Sequence, residues 1–284
     1  MDETDINKTE RLDQSVVRQL PGLSRSAAAK LIEDGKVKIN GQAAGKASQK
    51  VRPDDTVEVD YDPSLAADIP KIQLPVIYED QDCVVINKPA GVLTHSKGEF
   101  NPEATVATWL AGRVKDMSGE RAGIVHRLDR ATSGVMICAK TPEALKWLQK
   151  QFSERKVKKT YAAVVKGRLP KPEAVIDMPI ERNPRKPQTF RVGVNGKPAL
   201  TNYKVLSHGN GYSLLELQPA TGRTHQLRVH LHKLGHPIVG DELYGGPKAD
   251  RLYLHAERLE ITLPSKQRRT FEVPVPAEFK ELLA

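Results

Sequence analysis

From position 134 to 139 the chain reads Gly-Val-Met-Ile-Cys-Ala, without one polar side chain. A short continuous apolar run of this kind reads as a buried strand. A second apolar stretch, Gly123-Ile124-Val125, lies just upstream, and His126-Arg127-Leu128-Asp129-Arg130 stands between the two. The pattern predicts strand, charged loop, strand over 124–139. It also sets a lone carboxylate among cations at the mouth of a buried strand.

The flanking sequence extends this picture. Alternating or apolar runs predict strands at 76–78, 83–86, 159–165, 174–176, 201–206, 212–217 and 251–261. Helical spacing covers 105–114, 142–152 and 224–234, with a short last helix at 278–283. Thr141-Pro142 is a good helix start, and Thr224 is a candidate cap for the helix after it. Many strands with few, irregularly placed helices argue for an α+β domain around a mixed or antiparallel sheet. Upstream the texture differs. Residues 1–10 are polar and predicted to be disordered. Residues 11–61 hold a helix starting at Ser24-Arg25-Ser26 and stopped by Asp34-Gly35. A short strand at Val37 and Ile39 follows, then an Asn40-Gly41 turn and a second alternating strand through Val51, Val57 and Val59. Residues 62–75 form a proline-bearing linker, and 76–284 the larger domain.

No apolar run is long enough to cross a bilayer, and the polar, acidic start MDETDINKTERLDQ is not a secretory signal. The expected compartment is the cytoplasm. Cys83 and Cys138 lie inside strand-like apolar runs and are expected to be reduced, buried thiols. The net charge is +9, which favours polyanionic partners. Between Arg121 and Arg168 twelve lysines and arginines face three acids, so this one window equals the excess of the whole chain. A window of that size points to a nucleic-acid groove rather than a solvated helix face.

Four stretches are candidates for chemistry. Asp129, flanked by Arg127 and Arg130, is held ionised by its neighbours. Such a carboxylate suits a nucleophile, or a stabiliser of positive charge developing at a sugar carbon; a plain loop ion pair is the other reading. In 218–245, Arg223 falls in a turn and Arg228 in a helix, each a good phosphate or carboxylate ligand. Histidines 225, 230, 232 and 236 lack the spacing of a helical zinc pair, so no metal is expected. Tyr161 opens a strand beside Lys158 and Lys159, where it is either core or a platform for a base. Asn87-Lys88-Pro89-Ala90-Gly91 is a turn after a strand, structural or on the rim of a site.

Taken together, INKPAG, HRLDRATSG, KTYAAVVKG and TGRTHQLRVHLHKLGHPIVGDELYG resemble the RluA-type pseudouridine synthases. ERNPRK at 181–186 and the two-domain layout bring the chain nearest the RluD-like branch, which modifies large-subunit ribosomal RNA. Residues 11–61 resemble the S4-like RNA-binding domain. The resemblance spans about 10–280. It implies a pseudouridine synthase fold with a mixed central sheet and flanking helices, preceded by a small α/β domain. It also implies isomerisation of uridine in RNA with no cofactor, metal or ATP. Asp129 then is the catalytic aspartate, Arg228 its arginine partner, and Arg223 a second candidate for that pairing or for phosphate. Tyr161 is the tyrosine stacking on the flipped base. Arg127 occupies the space the base leaves, and Leu254 lines the base pocket. In the small domain Arg11, Arg25, Ser26, Lys30 and Lys36 are the expected RNA-facing set. The implied partner is ribosomal RNA or a precursor large subunit, engaged by a monomer without a membrane.

Three other readings compete. A transfer RNA target would use the same chemistry. A non-catalytic ribosome-assembly factor would have no need of the aspartate, tyrosine and arginine. A nucleic-acid glycosylase or glycoside hydrolase normally needs a second carboxylate, for which Asp241 and Glu242 are the nearest candidates outside the Asp129 motif.

Overall fold

Residues 133–139 sit where their composition requires, buried at every position in the middle of a sheet. The structure, a computed structural model, describes residues 9–20, 23, 25–61, 70–96, 103–117 and 121–284. The expected disordered start at 1–8, the linker residues 62–69, Ser24 and the side chain of Ser26 lie outside the described residues. The chain divides into two compact units. One is built on residues up to 72 together with the segment around His95–Trp109, and the other holds Gln73–Thr94, Leu110–Met117 and Ala122–Ala284.

The first unit contains β1 (Glu10–Arg11), α1 (Leu12–Gln19), α2 (Arg25–Glu33), β2 (Val37–Ile39), β3 (Gln42–Ala43), β4 (Lys50–Val51) and β5 (Val57–Val59). Leu12, Val16, Ala28, Ile32, Val37 and Val51 share its core. Asn40 and Gly41 both take positive φ, 50° and 78°. That is the requirement of a tight hairpin turn, and β2 duly pairs with β3. The alternation of Val51, Val57 and Val59 is not one strand. A turn in which Asp55 accepts the Arg52 N–H at 2.8 Å splits it, so that β4 pairs with β1 and β5 with β2. Glu10, placed in the disordered start by the sequence, is paired opposite Val51.

Then come β6 (Val76–Glu79), β7 (Cys83–Lys88), α3 (Val106–Leu110), β8 (Ser133–Ala139), α4 (Pro142–Ser153) and β9 (Lys158–Lys166). They are followed by β10 (Glu173–Asp177), β11 (Ile180–Arg182), β12 (Phe190–Val192), β13 (Leu200–Gly209) and β14 (Tyr212–Pro219). The last elements are α5 (Gln226–Lys233), β15 (Leu254–Thr262), β16 (Arg268–Glu272) and α6 (Glu278–Glu281). Among the described residues nine strands form one sheet in the order β10-β13-β14-β9-β15-β8-β7-β6, with β16 on β15. All its pairings are antiparallel except β15 with β8. The fold is therefore α+β around a mixed sheet. Leu227 and Leu231 of α5 and Phe279 of α6 join Ala162, Val164, Leu215 and Leu217 of the sheet in one core. Thr141 caps α4, accepting the Ala144 N–H at 3.2 Å.

The sheet is tightest where β8 meets β15. Gly134 has φ +116°, and a Cβ there would lie 2.1 Å from the Ala256 carbonyl oxygen. Only glycine fits this approach. Upstream, the strand expected at Ile124 is a single bridge to Cys138. The Ile137 N–H is taken by the His126 imidazole, at 3.2 Å to Nε2, rather than by a strand carbonyl, so the ladder stops there. Cys83 and Cys138 carry free, buried thiols, and burial pushes that of Cys138 up to about 12. No helix among the described residues is long and apolar enough to cross a membrane.

Candidate active site

The loop carrying Asp129 is fixed by its neighbours' backbone needs. Thr94 Oγ1 donates to the Leu128 carbonyl at 2.8 Å. Gly91 N–H donates to the Arg130 carbonyl at 2.8 Å. Lys88 has a wholly buried side chain whose ammonium donates to three carbonyls, Pro89 at 2.9 Å, Val92 at 2.8 Å and Arg130 at 3.2 Å. Burial lowers its pKa to about 8, against the opposing charge of Asp129. The Asn87–Gly91 turn thus acts as a staple holding the aspartate loop on the end of β8.

Arg228 arrives from α5. The turn before that helix is a closed hydrogen-bond set centred on Gln226. Its Oε1 accepts from Thr221 Oγ1 at 2.6 Å and from the Arg223 N–H at 3.0 Å. Its Nε2 donates to the Leu200 carbonyl and to Thr201 Oγ1, both at 3.0 Å. The helix starts at Gln226, and Thr224 is not its cap. His225 occupies the cap position in a left-handed conformation, φ 55°, ψ 20°, with no side-chain cap bond. The Gln226 amide does the ordering expected of the threonine.

The Arg228 guanidinium bridges two carboxylates. Nε and Nη2 each donate to Asp241 at 2.8 Å, and Nη1 donates to Asp129 Oδ2 at 3.2 Å. Asp241 has a side chain 1% exposed, Arg228 10% and Asp129 20%. Burial opposes the charge of Arg228, but the bonds and charge of Asp241, then of Asp129, outweigh it and raise its pKa. Asp241 follows Gly240, whose φ is +79° and whose Cβ would fall 1.7 Å from the Arg251 carbonyl oxygen. A one-turn 3₁₀ helix, Glu242–Tyr244, comes next and sets the Tyr244 ring 5.0 Å under Arg228.

Tyr244 also wires a second group to the site. Its oxygen accepts the Phe190 N–H at 2.9 Å and lies 2.8 Å from His225 Nδ1. One lone pair is thus engaged, and the Asp129 carboxylate on the far side of the imidazole favours the tautomer in which the phenol donates its own proton to Nδ1. Neutral His225 then carries its proton on Nε2, which stands 3.7 Å from Asp129 Oδ2. Burial lowers the His225 pKa; Asp129 raises it, while Arg228 and Arg127 lower it.

Asp129, His225 and Arg228 line a cavity of about 120 Å³ together with Tyr161, Leu254, Arg127, Arg223 and Lys159. Leu254 is buried at the start of β15. Burial, then the charge of Asp129, pushes the Tyr161 phenol up, so it stays protonated. The cavity joins one carboxylate and its arginine to an aromatic wall and an apolar wall. Its walls suit a flat ring with polar edges.

The sequence profile of the RNA pseudouridylate synthase family matches residues 82–233, and that of the S4 domain matches residues 10–57. The chain belongs to the RNA pseudouridylate synthase family. The synthase is 36% identical to ribosomal large subunit pseudouridine synthase D of Escherichia coli strain K12, over 96% of this chain and 90% of that protein. It is 37% identical to an uncharacterized RNA pseudouridine synthase of Synechocystis, over 96% and 88% respectively. Among solved structures, human RNA pseudouridylate synthase domain containing 1 superposes with a TM-score of 0.60 at 32% identity, covering 71% of this chain and 83% of that one.

In the synthase, Asp129, Tyr161, Arg228, Arg127, Arg223 and Leu254 all border the one cavity. The small-unit residues are placed otherwise. Arg11 and Arg25 are both bound to Asp13, at 2.9 and 2.8 Å, Lys36 pairs with Asp60 at 3.2 Å, and Lys30 is exposed. Sequence reasoning missed three groups. Asp241 is no second acid over the cavity but the main anchor of Arg228; its signal was a carboxylate thirteen residues after that arginine. His225 was weighed only among four histidines without the spacing of a metal pair, and Tyr244 was not singled out. Of the other histidines, His230 is committed to Thr201 Oγ1 and the Met178 carbonyl.

Proposed function

We propose that this synthase converts uridine to pseudouridine in large-subunit ribosomal RNA, with Asp129 acting on a flipped nucleotide in the small cavity. The observation that carries the reading is the Arg228 bridge. It holds one oxygen of Asp129 at 3.2 Å and sets the carboxylate in the cavity that Tyr161 and Leu254 also line. The target atom is hidden in stacked RNA, so the nucleotide must leave the stack. Tyr161 then stacks on the uracil, Leu254 packs its edge, and Arg127 fills the gap in the RNA. The bond from C1′ to N1 breaks, the ring turns, and C1′ bonds to C5. The C5 proton is lost and N1 gains one, so no redox partner is required. Asp129 supplies negative charge at the sugar or a bond to it.

Residues 76–284 carry this chemistry, and 11–61, matched by the S4 domain, dock RNA through Arg11, Arg25, Ser26, Lys30 and Lys36. The ribosomal target is supported by likeness to the Escherichia coli enzyme, named for the large subunit. The test incubates purified protein, with Asp129→Ala alongside, with ribosomal and transfer RNA from cells lacking the gene. Pseudouridine is mapped by chemical tagging and reverse-transcription stops. Stops in large-subunit RNA that vanish with Asp129→Ala are expected. Stops in transfer RNA alone would move the substrate. None in free RNA or in precursor subunits would overturn the activity.

A further inference from the structure

Behind the small cavity lies a larger one of about 440 Å³. The two share Arg127, Lys159, Tyr161, Thr221, Gly222 and Arg223, so they are neighbours through a common wall. Four cations line the larger one, Arg127, Arg155, Lys159 and Arg223, and no carboxylate does.

The basic window of the sequence sorts in a telling way. Lys140 is paired with Glu79, Lys156 with Glu154 and Lys158 with Glu260. The four cations around the cavity have no carboxylate partner among the described residues. Lys159, at the join, gives its ammonium only a backbone carbonyl, that of Thr221 at 3.1 Å. Burial lowers its pKa to about 8. Arg127 and Arg155 are exposed, but Lys159 is half-buried, and a desolvated cation without a counter-ion is costly unless an anion arrives. His126 adds a neutral donor. Its Nε2 is taken by the Ile137 N–H and burial lowers its pKa to about 3, so the proton sits on Nδ1. The end of α4 at this wall does not oppose an anion, because the Lys150, Gln151 and Phe152 carbonyls are already bonded to backbone N–H groups.

We infer that the larger cavity is a phosphodiester subsite, which takes the backbone of the nucleotide adjoining the flipped uridine, with Lys159, Arg155 and Arg223 as its ligands. This rests on reading the small cavity as the uridine site. A flipped nucleotide is tethered on both sides, so one strand arm must leave through a neighbouring wall. Arg127, Lys159 and Arg223 line the shared wall, and Arg155 lines the larger cavity alone.

The test labels lysines of the full chain with an acylating reagent across pH and reads Lys159 by mass spectrometry. The probes are short single-stranded oligouridylate and the same oligomer with uncharged methylphosphonate linkages. In the free protein Lys159 reacts with a midpoint near pH 8. Oligouridylate moves that midpoint up by about one unit and slows labelling, while the uncharged oligomer does neither. Arg155 has φ 57°, where asparagine is well tolerated. Arg155→Asn therefore keeps the melting temperature, and it flattens the salt dependence of oligouridylate affinity by about 0.7 in log–log slope. No change at Lys159 with millimolar oligouridylate, equal protection by the uncharged oligomer, or an unchanged salt slope each overturns the subsite. Pseudouridine mapping separates the two readings. Lys159 protection without any pseudouridine keeps the subsite and removes the activity, and pseudouridine formation without protection does the reverse.

Discussion

Asp241 binds Arg228 through two 2.8 Å hydrogen bonds, while Asp129 receives the third at 3.2 Å. The buried carboxylate aims the arginine, and the arginine in turn aims the half-buried carboxylate. Asp241→Asn removes the charge but keeps the shape. Its kcat should fall by roughly 10²-fold with KM little changed, because Arg228 would swing toward Asp129 and alter its approach. A KM effect without a kcat effect would assign Asp241 to RNA binding. Asp241→Ala, which strands a buried cation, should also lose roughly 3–5 kcal/mol of stability, read by urea unfolding.

Tyr244→Phe takes away the proton that fixes His225 and the acceptor of the Phe190 N–H. Nitrogen-15 spectra of the parent protein should show His225 as the Nε2–H tautomer. The variant should show a mixture and a lower kcat. An Nδ1–H tautomer in the parent would refute the wiring.

Lys159 has its pKa lowered to about 8 from 10.5 by burial. Below pH 8 the fold carries a desolvated charge that the unfolded chain does not pay for, and this cost fades between pH 8 and 10.5. Lys159→Met should therefore stabilise the protein at pH 7 by roughly 1–3 kcal/mol, a gain that disappears by pH 10.5. The difference between variant and parent is the quantity to measure, since the buried thiols titrate in the opposite sense.

His126 is held neutral, with its pKa lowered to about 3 by burial and then by Lys159. Its contribution is complete above pH 6.5 and is lost as pH falls, because the unfolded chain then takes up a proton the fold refuses. His126→Gln keeps an acceptor for Ile137. The parent should lose on the order of 1–2 kcal/mol more than this variant between pH 6.5 and 5.

Gly134→Ala should be among the most damaging small changes in the chain. A Cβ 2.1 Å from the Ala256 oxygen forces β8 and β15 apart. We expect a loss of at least about 3 kcal/mol or insoluble protein, measured against Gly35→Ala, where nothing lies within 4 Å.

Local chemistry made much of this legible beforehand. The apolar run before Lys140, the Thr141 cap with its proline, and the Asn40-Gly41 turn each fix their element through nearest neighbours, and all three form as read. What failed needed distant partners. The valines from 51 to 59 obey a period of two, yet they divide between two sheets because a turn at Arg52–Asp55 intervenes. Asp129 and Arg228 were brought together by likeness to a family, not by spacing, as they are 99 residues apart. The role of Asp241 depends on the left-handed, close-packed backbone at Gly240, and that of Lys88 on carbonyls up to 42 residues away.

β15 joins the two halves of the main sheet, with β8 on one side and β9 on the other. It is also next to last among the strands, and Leu254 is its first residue. During synthesis the aspartate loop and the tyrosine strand emerge long before the strand that seats them side by side. Such late, long-range closure makes for slow folding. A nascent or truncated chain that stops short of β15 already holds Asp129 and Arg228, but it lacks Leu254 and the strand that ties β8 to β9.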